Sequence, residues 1–223
     1  MEKHKVKIKS ISPVTHNVNR YLLEKPEDYS FTPGQATEVS INRKGWEEEK
    51  RPFTFTSLPY DDHLEFTIKS YTDHDGVTKK LLDLKPGDEF IIREVFGAIN
   101  YEDEGVFIAG GAGVTPFVAI LRHLHSQGKI GSNKLLFANK TKKDIIYEEE
   151  FREMLGENFI NILSEEKAEG FRKGFVNEKI LKEKKADQAK NIYLCGPPPM
   201  MEHMMKLFDK LEIEQERIVS EDL

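Results

Sequence analysis

The sequence predicts an all-β antiparallel barrel domain followed by an α/β domain with a parallel five-stranded nucleotide-binding sheet. Three observations carry that expectation. The first hundred residues hold short β-branched and aromatic segments set apart by turn residues. Beyond Gly105, short apolar runs alternate with helical stretches. A glycine-rich loop, Gly110–Pro116, stands where the first of those runs gives way to a helix.

In the first part, Val6, Ile8 and Ile11 open an alternating pattern. Tyr21–Leu23, Thr37–Ile41, Phe53–Thr56, Leu64–Ile68 and Phe90–Ile92 read as further strands. Pro33-Gly34, the stretch Leu58–Asp62 and Lys85-Pro86-Gly87-Asp88 supply the turns. One short helix is expected over Thr78–Leu84, where Leu81, Leu82 and Leu84 are apolar.

In the second part, Val106–Ala109 has the continuous apolar texture of a strand covered on both faces. There follow a helix Thr115–Gln127, a strand Leu135–Ala138, a helix Tyr147–Leu155 and a strand Phe159–Leu163. A helix Asn177–Leu181, a strand Ile192–Cys195 and a helix Pro198–Leu211 complete the series. The texture changes near Tyr101–Gly105, so residues 1–100 and 101–223 are expected to be the two domains.

Composition excludes several functions. The 33 basic and 39 acidic residues are spread along the chain, which leaves no basic platform for nucleic acid. The single cysteine, Cys195, rules out a disulfide framework, a four-cysteine zinc site and an iron–sulfur cluster housed in these residues; no metal site is expected. The polar start and the lack of a long apolar run point to a cytoplasmic protein with no membrane segment.

Three segments carry chemistry. In Gly110-Gly111-Ala112-Gly113-Val114-Thr115-Pro116, glycines let backbone approach a phosphate, and the following helix offers free N–H groups and a positive dipole end. Pro116 suits the first helical turn and Thr115 the N-cap. An ordinary tight turn would also use glycines; the strand before and helix after favour a dinucleotide pyrophosphate site. A P-loop is excluded, because no Lys-Ser or Lys-Thr follows. Cys195-Gly196-Pro197-Pro198 occupies an equivalent strand end. Its thiol reads either as a small buried hydrophobe or as a group facing the first loop's ligand, and no neighbouring His would make it a nucleophile. The stripe Met200, Met201, Met204 and Met205 reads as helix packing. Arg51-Pro52-Phe53-Thr54-Phe55-Thr56-Ser57 alternates, with Arg51, Phe53, Phe55 and Ser57 on one face. That is a good strand, or a guanidinium, ring and hydroxyl set for a phosphate and a flat ring; composition leaves the two level.

Together and in this order, these segments resemble the ferredoxin–NADP reductase family of flavoproteins over nearly the whole chain. Arg51-Pro52-Phe53-Thr54 is similar to its Arg-x-Tyr-Ser flavin motif, with Phe for Tyr and Thr for Ser. Gly76-Val77-Thr78 is similar to its second flavin motif, one residue short. Gly111–Pro116 and Cys195–Pro198 are similar to its nicotinamide-coenzyme motifs. The resemblance implies FAD and NAD(P)H as cofactors. Arg51 would hold flavin phosphate, Phe53 would stack on the isoalloxazine, and Thr54 would bond flavin N5. Pro52 belongs to the same motif; Ile68, Lys69 and Ser70 would pass along the flavin, and Gly76, Val77 and Thr78 would meet its pyrophosphate. Gly111, Gly113, Thr115, Pro116, Asn139, Ser164, Glu165, Gly196, Pro197 and Pro198 would line the coenzyme. Cys195 would lie near nicotinamide C4, with Glu221 as the acidic residue relayed toward the flavin. Thr54, Cys195 and Glu221 are thus the expected catalytic set.

The resemblance implies hydride transfer from NAD(P)H to flavin, then electron transfer to an external ferredoxin, flavodoxin or oxygenase iron–sulfur component, by a monomer. Glu165 stands where NADPH-selective relatives carry arginine, so NADH is favoured. Lys142, Lys143, Lys167, Arg172 and Lys173 are the nearby cations that could oppose it. Ser220-Glu221-Asp222-Leu223 offers no terminal aromatic to cover the flavin, which predicts easy nicotinamide access. A free-flavin reductase and a non-enzymatic nucleotide-sensing module are the alternatives.

Overall fold

A computed structural model describes residues 3–73 and 75–221. The first part is a six-stranded antiparallel sheet in the order β4-β3-β6-β1-β2-β5. Its strands are β1 (His4–Thr15), β2 (Val18–Glu24), β3 (Ala36–Ile41), β4 (Arg51–Thr54), β5 (His63–Lys69) and β6 (Glu89–Phe96). Past Thr54 the chain leaves β3 and bridges Phe55 to Phe66 of β5, which closes the sheet into a barrel.

That closure corrects the expected strand Phe53–Thr56. The paired stretch ends at Thr54, and Phe55, Thr56 and Ser57 are all buried, so the expected two-faced alternation stops there. Inside the barrel, Phe55 stacks on Phe31 at 4.2 Å between ring centres, with Tyr21, Phe66 and Phe90 around them. Helix α1 (Val77–Lys80) and a following 3-10 turn at Leu81–Asp83 replace the longer helix expected there. Val77 and Leu81 plug one end of the barrel.

The second part is a parallel sheet in the order β10-β9-β8-β7-β11-β12. Its strands are β7 (Gly105–Gly110), β8 (Lys134–Asn139), β9 (Phe159–Leu163), β10 (Arg172–Lys173), β11 (Asn191–Cys195) and β12 (Ile218–Ser220). It has six strands where five were expected. The outermost two are only 2 and 3 residues long, too short to show any periodicity in sequence. Strand β7 is buried throughout, as its apolar texture implied.

Helices α2 (Thr115–Ser126) and α3 (Glu148–Leu155) cover one face of this sheet, and α4 (Glu178–Glu183) and α5 (Pro198–Lys210) cover the other. The stripe of Met201 and Met204 packs into that second face, with Met200 and Met205 against it. The direction of winding reverses between β7 and β11. Ligands of open α/β sheets bind in the crevice outside the carboxyl ends of such a strand pair, and the two motif loops leave from there. The barrel contributes Val18 and Ile99 to the core under α2, so the two parts share buried surface. No helix of the described residues is long and apolar enough to cross a membrane.

Candidate active site

At the end of β7 the chain makes a 3-10 turn over Gly111–Val114 before α2 begins. Gly111 has φ +51° with open space above it, so a side chain there would strain the backbone without meeting anything. Gly113 differs. A Cβ on it would lie 2.5 Å from the Cys195 carbonyl oxygen, and one on Gly110 would lie 2.4 Å from Met200 Sδ. Two of the three glycines therefore let the two motif loops touch, and Gly111 is the one that faces open space. Thr115 is the first residue of α2 and not its N-cap: Val114 takes that place, and the Thr115 hydroxyl donates to the Ala112 carbonyl at 3.0 Å. Pro116 sits in the first turn, as expected.

In the second loop Pro197 is the N-cap of α5, with Pro198 opening the helix. Cys195 lies half-buried at the end of β11, beside Gly113. Burial pushes its thiol up to about 12, helped by the charge of Glu221, so it stays protonated at neutral pH. Glu221 is an exposed residue, but partial desolvation by the surrounding protein raises its carboxyl. Glu221 follows β12 and reaches the barrel: its Oε1 would lie 3.8 Å from a Cβ on Gly97. Gly97 follows Phe96, which pairs with Ala36, which pairs with Thr54. Glu221 thus reaches the barrel two strands, roughly 10 Å, across the sheet from Thr54, and its charge is felt by Cys195 on the other side. Asp222 and Leu223 lie outside the described residues, and with them the question of a terminal cover.

On the barrel side Arg51 and Pro52 are exposed. The Arg51 guanidinium donates to the Lys50 carbonyl at 2.6 Å and makes no ion pair among the described residues. Phe53 is half-buried, its ring 6.4 Å from Phe66. Ile68 is buried at the end of β5, and Lys69 lies over the Tyr71 ring. Gly76 is the extended N-cap of α1, so the amides of Val77 and Thr78 fall in the first turn, where no intrahelical partner exists. Two of the orphaned buried polar groups fall on residues expected to line the cofactors. The Ser70 hydroxyl is buried without a partner, and so are both atoms of the Asn139 amide at the end of β8.

Beyond Asn139 a surface groove of about 540 Å³ is lined by Thr141, Lys142, Lys143, Glu148 and Glu166. Ser164 and Glu165 border it: their amides donate to the carbonyls of Asn139 and Lys140, both at 2.9 Å. Glu165 is exposed and pairs with Lys140 at 3.1 Å, a cation absent from the expected group. Of that group, Arg172 is committed to Glu183, Lys142 sits over the Phe171 ring, and Lys173 donates to the Ser164 carbonyl.

Comparison with known proteins bears on the family and the fold. An FAD-binding domain family model matches residues 3–97, and an oxidoreductase NAD-binding domain model matches residues 107–206. An NADH-cytochrome b5 reductase 1 from Aspergillus clavatus is 30% identical over 96% of this chain and 76% of its own length. The chain belongs to the ferredoxin–NADP reductase family of FAD- and NAD-binding reductases. The reductase component of a propane 2-monooxygenase from Mycolicibacterium goodii is 28% identical over 96% of the chain. The chain spans 59–66% of the length of three such monooxygenase reductases. The fold matches a ferredoxin NADP+ reductase from Neisseria gonorrhoeae solved with FAD and NADP bound, with a TM-score of 0.83 at 18% identity, covering 99% of this chain and 97% of that one.

For this reductase, the orphaned Ser70 and Asn139 groups, the unpaired Arg51 and the open Gly111 turn suit the polar edges of a flavin and a dinucleotide. Sequence reading missed one feature entirely. Arg122 of α2 donates through Nη1 to the Thr56 carbonyl and to Glu65, both at 2.7 Å. It grips Glu150 through Nε and Nη2 at 2.5 and 2.9 Å. The available signal was one arginine in a helical turn otherwise buried from Pro116 to Leu121.

Proposed function

We propose that this reductase takes a hydride from NADH onto bound FAD and delivers electrons one at a time to an acceptor outside these residues, of the ferredoxin, flavodoxin or oxygenase iron–sulfur type. The contact of Glu221 with the barrel at Gly97 on one side and with Cys195 at the β7–β11 crevice on the other, two strands from Thr54, carries this reading. Bound flavin supplies the ability to accept two electrons together and release them singly.

The chain's own residues do the rest. Arg51 and the first-turn amides of α1 hold the flavin phosphates, and half-buried Phe53 gives the ring a flat apolar support. The Thr54 hydroxyl bonds the reacting edge. Gly111 and the start of α2 hold the coenzyme pyrophosphate, and Asn139 satisfies its amide on the nucleotide. Cys195 is a neutral, compact wall beside the nicotinamide, because its proton is held so tightly. Glu221, exposed and with its carboxyl raised by partial desolvation, is the group placed to exchange a proton at the seam. The Glu165–Lys140 pair presents a carboxylate for ribose hydroxyls and neutralises the cation that a 2′-phosphate would need.

An iron–sulfur acceptor would lie outside these residues, because one cysteine cannot hold a cluster. The names of the matched relatives, oxygenase reductase components and cytochrome b5 reductases, fit a redox-protein acceptor. The test is an anaerobic titration of FAD-loaded protein with NADH and with NADPH, followed at the flavin absorbance. Bleaching by about one equivalent of NADH, with kcat/KM at least about tenfold higher than for NADPH, is expected, a difference of about 1.4 kcal/mol. Flavin that neither coenzyme bleaches would overturn the proposal.

A further inference from the structure

The cluster around Arg122 joins the barrel to the coenzyme-binding part at the element that carries the pyrophosphate loop. Thr115, at that loop, and Arg122 are seven residues apart on α2, two turns along one helix face and roughly 10 Å apart. Arg122 ends on the Thr56 carbonyl, two residues beyond Thr54 on the flavin side. We propose that Arg122, Glu65 and Glu150 form a positioning latch that fixes α2, and with it the coenzyme loop, against β5 and the segment that continues from Thr54, and so sets the approach of nicotinamide to flavin. This rests on the proposed hydride transfer for its purpose, though not for its geometry.

The hydrogen bonds are directional enough for that task. Side-chain exposure is 18% for Arg122 and 6% for Glu65, and the guanidinium uses its planar fork on both carboxylates and one carbonyl at once. The Glu65 carboxylate also accepts from Thr56 Oγ1 at 2.7 Å, and that hydroxyl lies 3.1 Å from Thr67 Oγ1. Thr67 meets the Tyr147 hydroxyl at 2.8 Å, and the Tyr147 ring lies 4.8 Å below the guanidinium. Tyr147 itself holds φ at 53°, a left-handed conformation unusual for an aromatic residue and held in place by these contacts. The ring of contacts therefore closes: β5, the Thr56 segment, α2 and the start of α3 are each tied to the next. A buried ion pair is weak evidence of stability, but its geometry is exacting.

The test uses Arg122→Lys, Arg122→Gln and Glu150→Gln in the full chain, with exposed Glu157→Gln as control. Lysine keeps the charge and loses the fork. Since α2 and its loop stay intact, KM for NADH should change less than about threefold, while the rate of flavin reduction falls about tenfold or more. The second readout needs no redox activity. Cys195 sits at the seam, so an alkylating reagent should label it about tenfold faster in Arg122→Gln, with far-UV dichroism unchanged. If Arg122→Gln fails to fold, Arg122→Lys and Glu150→Gln carry both measurements. Wild-type labelling and reduction rates in folded variants would overturn the latch. Wild-type flavin that NADH leaves unbleached would overturn the proposed function instead, and the labelling rates would still decide the latch.

Discussion

Cys195 shows how far a single side chain can be read. Its position at the end of a strand and before Gly-Pro-Pro leaves it as either a small buried hydrophobe or a group facing the crevice, and burial with a nearby carboxylate makes it a poor acid. The folded chain holds the thiol proton more tightly than the unfolded chain, whose thiol has a pKa of about 8.5. Stability is therefore unaffected below that pH and falls as pH rises toward 12, because unfolding then releases a proton. The same shift governs reactivity. At pH 8 iodoacetamide should modify Cys195 roughly a thousandfold more slowly than a free thiol, with the rate climbing tenfold per pH unit up to about pH 12. Labelling as fast as a model thiol at pH 8 would contradict this. The single cysteine makes the readout unambiguous. The glycines separate equally well. Gly113→Ala drives a Cβ to 2.5 Å from a backbone oxygen and should cost about 1–3 kcal/mol, read in thermal melts. Gly111→Ala meets nothing and should cost about 1 kcal/mol from its left-handed backbone. Its larger effect should be a raised KM for NADH.

Among elements, those whose signals are local were legible. The loops at 110–116 and 195–198 could be placed because strand, turn and helix start lie side by side in the chain. Asn177 was read as the first residue of its helix and is instead the N-cap, its side chain accepting from the Ile180 amide at 3.1 Å. Elements defined by partners were not legible. β10 and β12 exist because β9 and β11 offer edges to them, not because of their own residues. The latch is an extreme case: Arg122 meets groups 28 to 66 positions away, and no periodicity connects them. Lys140 was missed because it lies two positions before the lysines considered, and only the folded loop brings it to Glu165. The end of β9 is where coenzyme choice should be editable. Glu165→Arg removes the repelling carboxylate and adds a cation beside Lys140. It should raise kcat/KM for NADPH about tenfold while NADH turnover falls modestly, measured by steady-state kinetics with both coenzymes.

At the scale of the whole molecule, the seam between barrel and α/β sheet is built like an interior. Val18 stands on barrel strand β2 and is 2% exposed, yet it belongs to the core under α2. Tyr60 reaches Ser126 at 2.6 Å, and His16 lies 3.7 Å from Asp144. Two parts joined in this way should unfold together, in one transition seen alike by flavin fluorescence and far-UV dichroism. Val18→Ala should cost about 2 kcal/mol, lowering Tm by roughly 4–8 °C and shifting both signals equally. Two separated transitions would refute the shared seam. The seam also bears on recombination. A chimera that grafts this barrel onto a foreign coenzyme half would inherit Val18 and Glu65 without the pocket and the arginine that receive them. Successful exchange of halves between related reductases should therefore depend on transplanting the contact residues as a set, with sequence identity elsewhere mattering much less.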